Sequence, residues 1–289
     1  MRLSATHGLE DKRGTPDRWA KDLGTLAESE GQKRRLIFLG TGTSHGVPMI
    51  GCHCPVCRSD DPRNKRTRCA AVVQLPAGNL LIDTPPELRL QLIREKIDCI
   101  HTLLFTHHHA DHMFGLDDVR IFPKYLSGPL PVYCERPVER TIRTAFAYAF
   151  DPATELFPAG GIPKLKLHRI NRAPFEVLGQ RVVPIRLMHG RFRVLGFRFD
   201  NLAYCTDVNE IPARSWKRLE GLDVLILDAL RENPHPTHFS LSESLAVIEK
   251  LRPRQAYLTH MAHNLDHEAT NARLPDHVRL AYDGLSIEF

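Results

Sequence analysis

The sequence predicts an α/β protein of stacked β-sheets covered by helices, folded as one domain. Three observations predict it. Short apolar runs of strand length recur from "RRLIFLG" to the end of the chain, helical patterns stand between some of them, and no repeat or low-complexity linker divides the 289 residues. Apolar strands in that number bury their faces when sheets pack together and helices cover them.

The elements follow in order. Residues 1–34 are polar, mixed in charge and without clear periodicity. They read as a flexible extension in which "PDRWAKDLGTLAE" can form a short helix. The folded domain is expected over residues 35–289, beginning with "RRLIFLGTGTS", an apolar strand that ends in a Gly-rich turn. Further strands are expected at "CAAVVQL", "NLLIDT", "HTLLFT", "LPVYC", "RVVPIRLM", "VLGFRFD", "LAYCTD", "LDVLILDAL", "QAYLTH" and "LSIEF". Helices are expected at "PPELRLQLIREK", "PVERTIRTAFAYAF" and "SLSESLAVIEKL". Proline in the first turn of the first of these loses nothing by its missing N–H. Strand order stays open at this level.

Composition narrows the function classes. The chain is 42% hydrophobic and 25% charged, the balance of an ordinary soluble globular protein. No apolar run reaches the roughly 18–20 residues that span a bilayer, and the N-terminus lacks an apolar signal core. A cytoplasmic protein without a membrane partner is expected. The net charge of +5 accommodates an anionic substrate without calling for nucleic acid. Seven cysteines, an odd number with three clustered, argue against a disulfide framework and for a metal site.

Sixteen histidines are the more unusual count, and "LLFTHHHADHMFGLDD" is the sharpest signal. In extended backbone, residues two apart project to one side, so His107 and His109 converge while His108 turns away. A turn at Ala110 then brings Asp111 and His112 to a second point beside the first. Imidazoles and carboxylates so spaced make Zn, Mn or Fe sites. Other apolar strands also end in a ligand-type residue: "IRLMHG" at His189, "LAYCTD" at Asp207 and "AYLTHMAH" at His260. Each alone reads as an ordinary polar residue; four segments with one layout read as a site on rigid supports.

In "GVPMIGCHCPVC", Cys52, Cys54 and Cys57 are one ligand short of a closed tetrahedral zinc site. His263, three residues beyond His260, is a distant candidate for the fourth position. His53 is the local alternative, although Cys52 and Cys54 compete with it for geometry. Cys69 stands twelve residues beyond the cluster. In "ENPHPTHFSLSES", Ser240 or Ser242 can cap the helix that follows, and His235 reads as loop surface. Asp228, ending the preceding strand, is a candidate for orienting a neighbour. Arg191 and Arg193 alternate with Phe192 and Val194 on a half-buried strand. Those arginines can attract a phosphate, but a solvated basic face is the favoured reading.

The chain resembles the metallo-β-lactamase superfamily through H-x-H-x-D-H at His107, His109, Asp111 and His112, followed by His189, Asp207 and His260 in order. The resemblance spans about residues 35–289 and implies a four-layer αββα sandwich with two metals at one edge. It implies that His107, His109 and His189 hold one metal, that Asp111, His112 and His260 hold the other, and that Asp207 bridges them. Asp83 matches an aspartate that usually supports the ligands without touching metal. Two such cations, about 3.5–4 Å apart, share a water, lower its pKa toward about 7 and stabilise the developing charge.

The signature "LGTGTSHGVPMIGCHCPVC" closely resembles the PhnP family of phosphoribosyl cyclic phosphodiesterases. That resemblance implies a structural zinc on Cys52, Cys54, Cys57 and His263. It also implies that His238 points into the site, donating a proton to the leaving oxygen or binding phosphate. The implied reaction opens a small cyclic phosphodiester, such as 5-phosphoribosyl 1,2-cyclic phosphate, to a phosphomonoester. The implied cofactors are two active-site cations, Mn or Zn, and one structural Zn. The family is often dimeric, which admits a homodimer.

Other readings compete. A tRNA 3′-processing endoribonuclease shares the metal residues but usually carries a Gly/Pro-rich basic arm, and none is evident. Thioesterases, lactonases and β-lactamases share parts of the metal set but not the cysteines or "HPTH". The pyrroloquinoline quinone protein PqqB shares a cysteine-rich early loop but typically has a degraded metal motif. A zinc-dependent nucleic-acid-binding module finds some footing in the basic run "DPRNKRTRC", but has no use for the seven metal-type residues. Loss of hydrolysis with intact fold on substituting His109 separates enzyme from binding module.

Overall fold

The computed structural model describes residues 34–126, 128–154 and 160–289. Apart from Arg34, the expected extension and its short helix lie outside the described residues. The strands run β1 (Arg35–Gly40), β2 (Ala70–Leu75), β3 (Gly78–Ile82), β4 (Thr102–Leu104), β5 (Leu130–Cys134) and β6 (Leu165–Arg169). There follow β7 (Phe175–Val177), β8 (Gln180–His189), β9 (Phe192–Phe199), β10 (Leu202–Cys205), β11 (Val224–Asp228), β12 (Gln255–Thr259), β13 (Val278–Leu280) and β14 (Ser286–Glu288). They form two seven-stranded sheets, ordered β14-β1-β2-β3-β4-β5-β6 and β13-β12-β11-β10-β9-β8-β7. In each, an antiparallel half gives way to a parallel one, β3 to β6 and β10 to β13.

Alternation along the strands builds the layers. Leu36 and Phe38 of β1 face the second sheet, where Phe197, Phe199, Leu202 and Tyr204 meet them. Ile37 and Leu39 point the other way, toward α1 (Leu88–Arg94), which contributes Leu88 and Leu92. On β11, Val224 and Ile226 face inward. Leu225 and Leu227 face outward against Val247 and Ile248 of a helix at Leu241–Leu251. Helix, sheet, sheet and helix thus make the four-layer sandwich. All five β11 residues are buried, which is why that segment reads as a continuous apolar run rather than an alternating one.

Every expected strand is present. Three were not expected, β6, β7 and β13; all three lie at sheet edges, β6 and β7 are only partly buried, and two of the three have only three residues. The proline expectation needs correcting: α1 starts at Leu88 after a turn closed by Leu88 N–H to Pro85 O, so the prolines lie in that turn and not in the helix. The helix expected from Pro137 begins at Arg136 and stops at Ala145, and a 3₁₀ turn covers Ala147–Phe150. Ser240 caps the Leu241–Leu251 helix in a reciprocal box with Glu243, as the sequence suggested. No helix among the described residues is long and apolar enough to cross a membrane.

Candidate active site

The parallel halves of both sheets, joined by β8 from the antiparallel half of the second, deliver the site. Asp83 follows β3, Thr106 and His107 follow β4, His189 ends β8, Asp207 follows β10, Asp228 ends β11 and His260 follows β12. Each lies at the carboxyl end of its strand, so the strands carry their polar ends to one edge. Beyond His109, which occupies the N-cap position, a single helical turn at Ala110–Met113 swings Asp111 and His112 back into the cluster.

Asp207 is the centre. His112 Nε2 lies 3.1 Å from one of its oxygens, and His260 Nε2 and His107 Nε2 lie 3.3 Å and 3.9 Å from the other. Asp111 reaches His112 Nε2 at 3.4 Å. The ligand atoms of Asp111, His112, Asp207 and His260 all fall within 4.8 Å of one another. The His109 ring lies 4.6 Å from that of His107 and 5.1 Å from that of His189. All seven residues singled out in the sequence therefore meet at one place.

The outer hydrogen bonds fix which ring nitrogens face inward. Asp83, completely buried, accepts from Thr106 N–H (2.8 Å), Thr106 Oγ1–H (2.6 Å) and His112 Nδ1–H (2.8 Å). Because the threonine hydroxyl spends its proton on Asp83, His107 Nδ1 at 2.9 Å must donate to that hydroxyl. His189 Nδ1 donates to the Thr237 carbonyl at 2.7 Å. In all three rings Nδ1 donates to the outer partner, which turns Nε2 inward. Burial disfavours the charged form of His112, yet the Asp207 and Asp111 carboxylates that its Nε2 faces raise that ring's pKa well above its usual value. Thr106 and the Thr237 carbonyl escaped the sequence reading; a threonine flanking a histidine run has no signature, and a carbonyl has no side chain.

Burial pushes the pKa values of His107, His109 and His260 down, keeping them neutral, the form that binds metal. Burial alone would raise Asp207, but the imidazoles of His260 and His112 outweigh it and hold the carboxyl well below its usual range. Among the described residues, His107 Nε2, His112 Nε2 and both ring nitrogens of His260 are buried without a hydrogen-bond partner. Buried polar atoms are rarely left so. Several unpartnered lone pairs around a buried carboxylate fit divalent cations.

His238 joins from the loop before the capped helix. Its Nδ1 donates to Asp228 at 2.7 Å, and its ring lies 4.5 Å from both His189 and His260, nearly parallel to the latter. Burial disfavours its charged form, yet the Asp228 carboxylate prevails and raises its pKa to about 9. Asp228 also accepts from Val208 N–H at 2.8 Å, so it does orient a neighbour. His235 is only half-buried, hydrogen-bonded within its loop to Thr237. Arg191 and Arg193 are exposed. Phe192, expected on the inner side with Val194, is 53% exposed; it begins β9 at the hairpin end and lies edge-on to His109 at 5.6 Å.

Behind the site, the sulfurs of Cys52, Cys54 and Cys57 and a ring nitrogen of His263 lie within 4.8 Å of one another. His263 Nδ1 approaches Cys52 Sγ at 3.3 Å and Cys54 Sγ at 3.2 Å. His53 is exposed and outside the group, and Cys69 is buried elsewhere against Thr259. Hydrogen bonding to His263 lowers the Cys54 pKa to about 6. The basic run that follows is not a binding face: Arg66 is 1% exposed and donates to the carbonyls of Ala262 and Leu265, while Arg63 pairs with Asp61.

Fold and site together define a metal-dependent hydrolase. A Beta-lactamase superfamily domain matches residues 78–261. The crystal structure of a diphosphatase from the PhnP family is 42% identical, with a TM-score of 0.83 over 89% of this chain and 98% of that one. The chain belongs to the β-lactamase superfamily and, within it, to the PhnP family. It is also similar to an octanoyltransferase of Porphyromonas gingivalis, 37% identical over 255 residues. That match covers 87% of this chain but 51% of the relative, so the chain spans about half that protein's length. A ribonuclease Z of Pyrobaculum calidifontis is 24% identical over 283 residues, 85% of this chain and 89% of that protein.

Proposed function

We propose that the protein is a dimetal phosphodiesterase that opens a small cyclic phosphodiester, such as 5-phosphoribosyl 1,2-cyclic phosphate, to a phosphomonoester. The observation that carries this reading is the group of unpartnered imidazole nitrogens around Asp207, in a chain of the PhnP family. His107, His109 and His189 would hold one cation, Asp111, His112 and His260 the other, and Asp207 would bridge. The two cations, Mn or Zn, would supply Lewis acidity toward the phosphoryl oxygens and a water acidic enough to attack near neutral pH. Cys52, Cys54, Cys57 and His263 would hold a structural zinc that ties the early loop to the segment carrying His260.

The chain's own residues do the rest. Asp83 and Thr106 orient His112 and His107; the Thr237 carbonyl orients His189. Asp228 holds His238 by Nδ1, leaving Nε2 to give a proton to the departing oxygen. Asp228 and the capped helix beyond it keep that loop in register with the site.

A second reading is favoured by one observation, the naming of the 42% identical relative as a diphosphatase: the scissile bond is then a phosphoanhydride. Phosphorus NMR separates the two. Metal-loaded and chelated protein are incubated with 5-phosphoribosyl 1,2-cyclic phosphate and, separately, with a nucleoside diphosphate sugar. Metal-dependent conversion of the cyclic diester to a monoester supports the first reading; cleavage of the diphosphate alone replaces it with the second. No conversion of either by protein shown to hold its metals sinks both and turns the search to RNA.

A further inference from the structure

A second cavity, of about 560 Å³, is walled by Arg172, Arg186, Arg214, Arg218, Ser215 and the Asn171 loop end. Among the described residues it shares none with the histidine site, and no carboxylate lines its wall. Its arginines come from three places: the loop between β6 and β7, strand β8, and the short helix at Ala213–Trp216 with the turn after it.

Two of the four guanidinium groups are fixed by protein acceptors. Arg186 pairs through both terminal nitrogens with Glu135, one contact at 2.7 Å, across from the end of β5. Arg218 Nη1 donates to the carbonyls of Arg172 (2.6 Å) and Pro184. The frame is tied further by Ser215 Oγ, which donates to the Arg186 carbonyl at 2.6 Å, and by Arg198, which donates to the carbonyls of Arg218 and Glu220. The guanidinium groups of Arg172 and Arg214 enter no hydrogen bond or ion pair among the described residues, and both residues are exposed. Against four positive charges, Glu135 supplies the one carboxylate in contact.

Like charges gathered in one concavity raise each other's energy and concentrate anions there. Guanidinium stays charged at every physiological pH, and its fork of N–H donors matches the oxygens of phosphate. An ordinary solvated basic face is convex, with its arginines free or paired; this one is concave, held open by backbone acceptors, and unpaired where it faces the void.

We propose that this cavity is a binding site for a small phosphorylated anion. Four arginines gathered in one concavity suit a small anion, whereas an extended nucleic acid strand needs a stripe of basic residues. The ligand has two sources: a second phosphate of the molecule hydrolysed at the histidine site, or a separate effector. Arg186 precedes His189 by three residues on β8, about 10 Å along the strand and with the opposite parity. The site does not depend on which phosphate bond the protein cleaves.

The test uses metal-loaded protein and sulfate, a tetrahedral dianion that is a weak ligand for divalent cations. Sulfate is titrated while the arginine Nε–Hε resonances are followed by NMR, with chloride at matched ionic strength as control. The expected result is that the signals of Arg172, Arg186, Arg214 and Arg218 move together on one saturable curve. In the R172A/R214A variant, whose changes fall at exposed or unpaired positions, affinity drops at least about tenfold. A linear drift equal to that in chloride, or an unchanged affinity in the variant, overturns the proposal and leaves a solvated basic surface. With binding established, kinetics of the same variant assign the source. A rise in KM for a substrate with a distal phosphate, absent for one without it, marks a substrate subsite; unchanged kinetics mark an effector site.

Discussion

Replacing Asp83 by asparagine tests how the buried hydrogen bonds set the metal-binding form of the histidines. Asp83 accepts three protons on two oxygens, from Thr106 N–H, Thr106 Oγ1–H and His112 Nδ1–H. An amide in its place has one oxygen and an NH₂. If the oxygen stays on Thr106 N–H, the NH₂ faces His112 Nδ1, donor against donor. The ring escapes by moving its proton to Nε2, the atom that points at Asp207 from 3.1 Å, and that proton blocks the lone pair. Loss of such an outer partner weakens metal binding by roughly 10–100-fold, about 1.4–2.8 kcal/mol. Backbone strain does not confound the comparison, because Asp83 sits at φ 64° and asparagine tolerates that region as aspartate does. The assay is titration of stripped protein with Mn²⁺ against a fluorescent chelator, with the melting curve of D83N as a check on folding. Affinity within twofold of wild type in folded D83N would refute the tautomer argument.

Three further outcomes are expected. H238Q, which keeps a hydrogen-bonding side chain beside Asp228, lowers kcat by about 10²–10⁴ with unchanged metal content; a kcat near wild type would remove His238 from the reaction. C57S loses one zinc per chain by elemental analysis and melts lower, with the melting point no longer responding to added zinc; full zinc content would place the metal elsewhere. Asp266 caps the helix at His267–Asn271 through Ala269 N–H and also accepts from Asn64, and these bonds, the Ala269 one first, lower its pKa. Its contribution is therefore present above the unfolded value of about 3.9 and is lost as pH falls through the lower folded value. D266A is expected to cost about 1 kcal/mol at pH 7 and to converge with wild type in denaturant melts at acid pH; an equal deficit at both pH values would show that the charge is not involved.

Much of this site was legible because its residues end apolar strands. A histidine or aspartate at the end of an apolar strand is a pattern that sequence preserves, and it held for His107, His189, Asp207 and His260. What escaped were features with no pattern to preserve. Arg66 stands in the basic run that gave the binding-module reading its footing, yet the fold draws it inside to hold the Ala262 and Leu265 carbonyls. Phe192 has the parity of a buried position, but β9 begins there, at a hairpin end, so the alternation rule has no neighbouring layer to bury it against. Strands β6 and β7 lie at edges, where exposure blurs alternation. The arginine cavity joins residues 46 positions apart, Arg172 and Arg218, a proximity that only tertiary structure creates.

Strand ends bring the ligands to one edge, but an extended chain would carry them past it. Asp83, Asp207 and His260 all have positive φ, at 64°, 53° and 60°, and each is within two residues of the end of its strand. A left-handed residue turns the backbone sharply and costs about 1 kcal/mol or more outside glycine. Neighbouring bonds hold the turns: Asp83 N–H donates to Leu104 O at 2.9 Å, Val208 N–H to Asp228, and Met261 N–H to Thr41 O at 2.9 Å. The last of these joins the end of one sheet to the end of the other, and each turn is fixed by a strand or loop other than its own. Bent this way, Asp207 and His260 face each other across 3.3 Å instead of trailing into separate loops. The strain is local to the three positions where the chain must stop being a strand and start being a site, and stability elsewhere in the sandwich has to carry it.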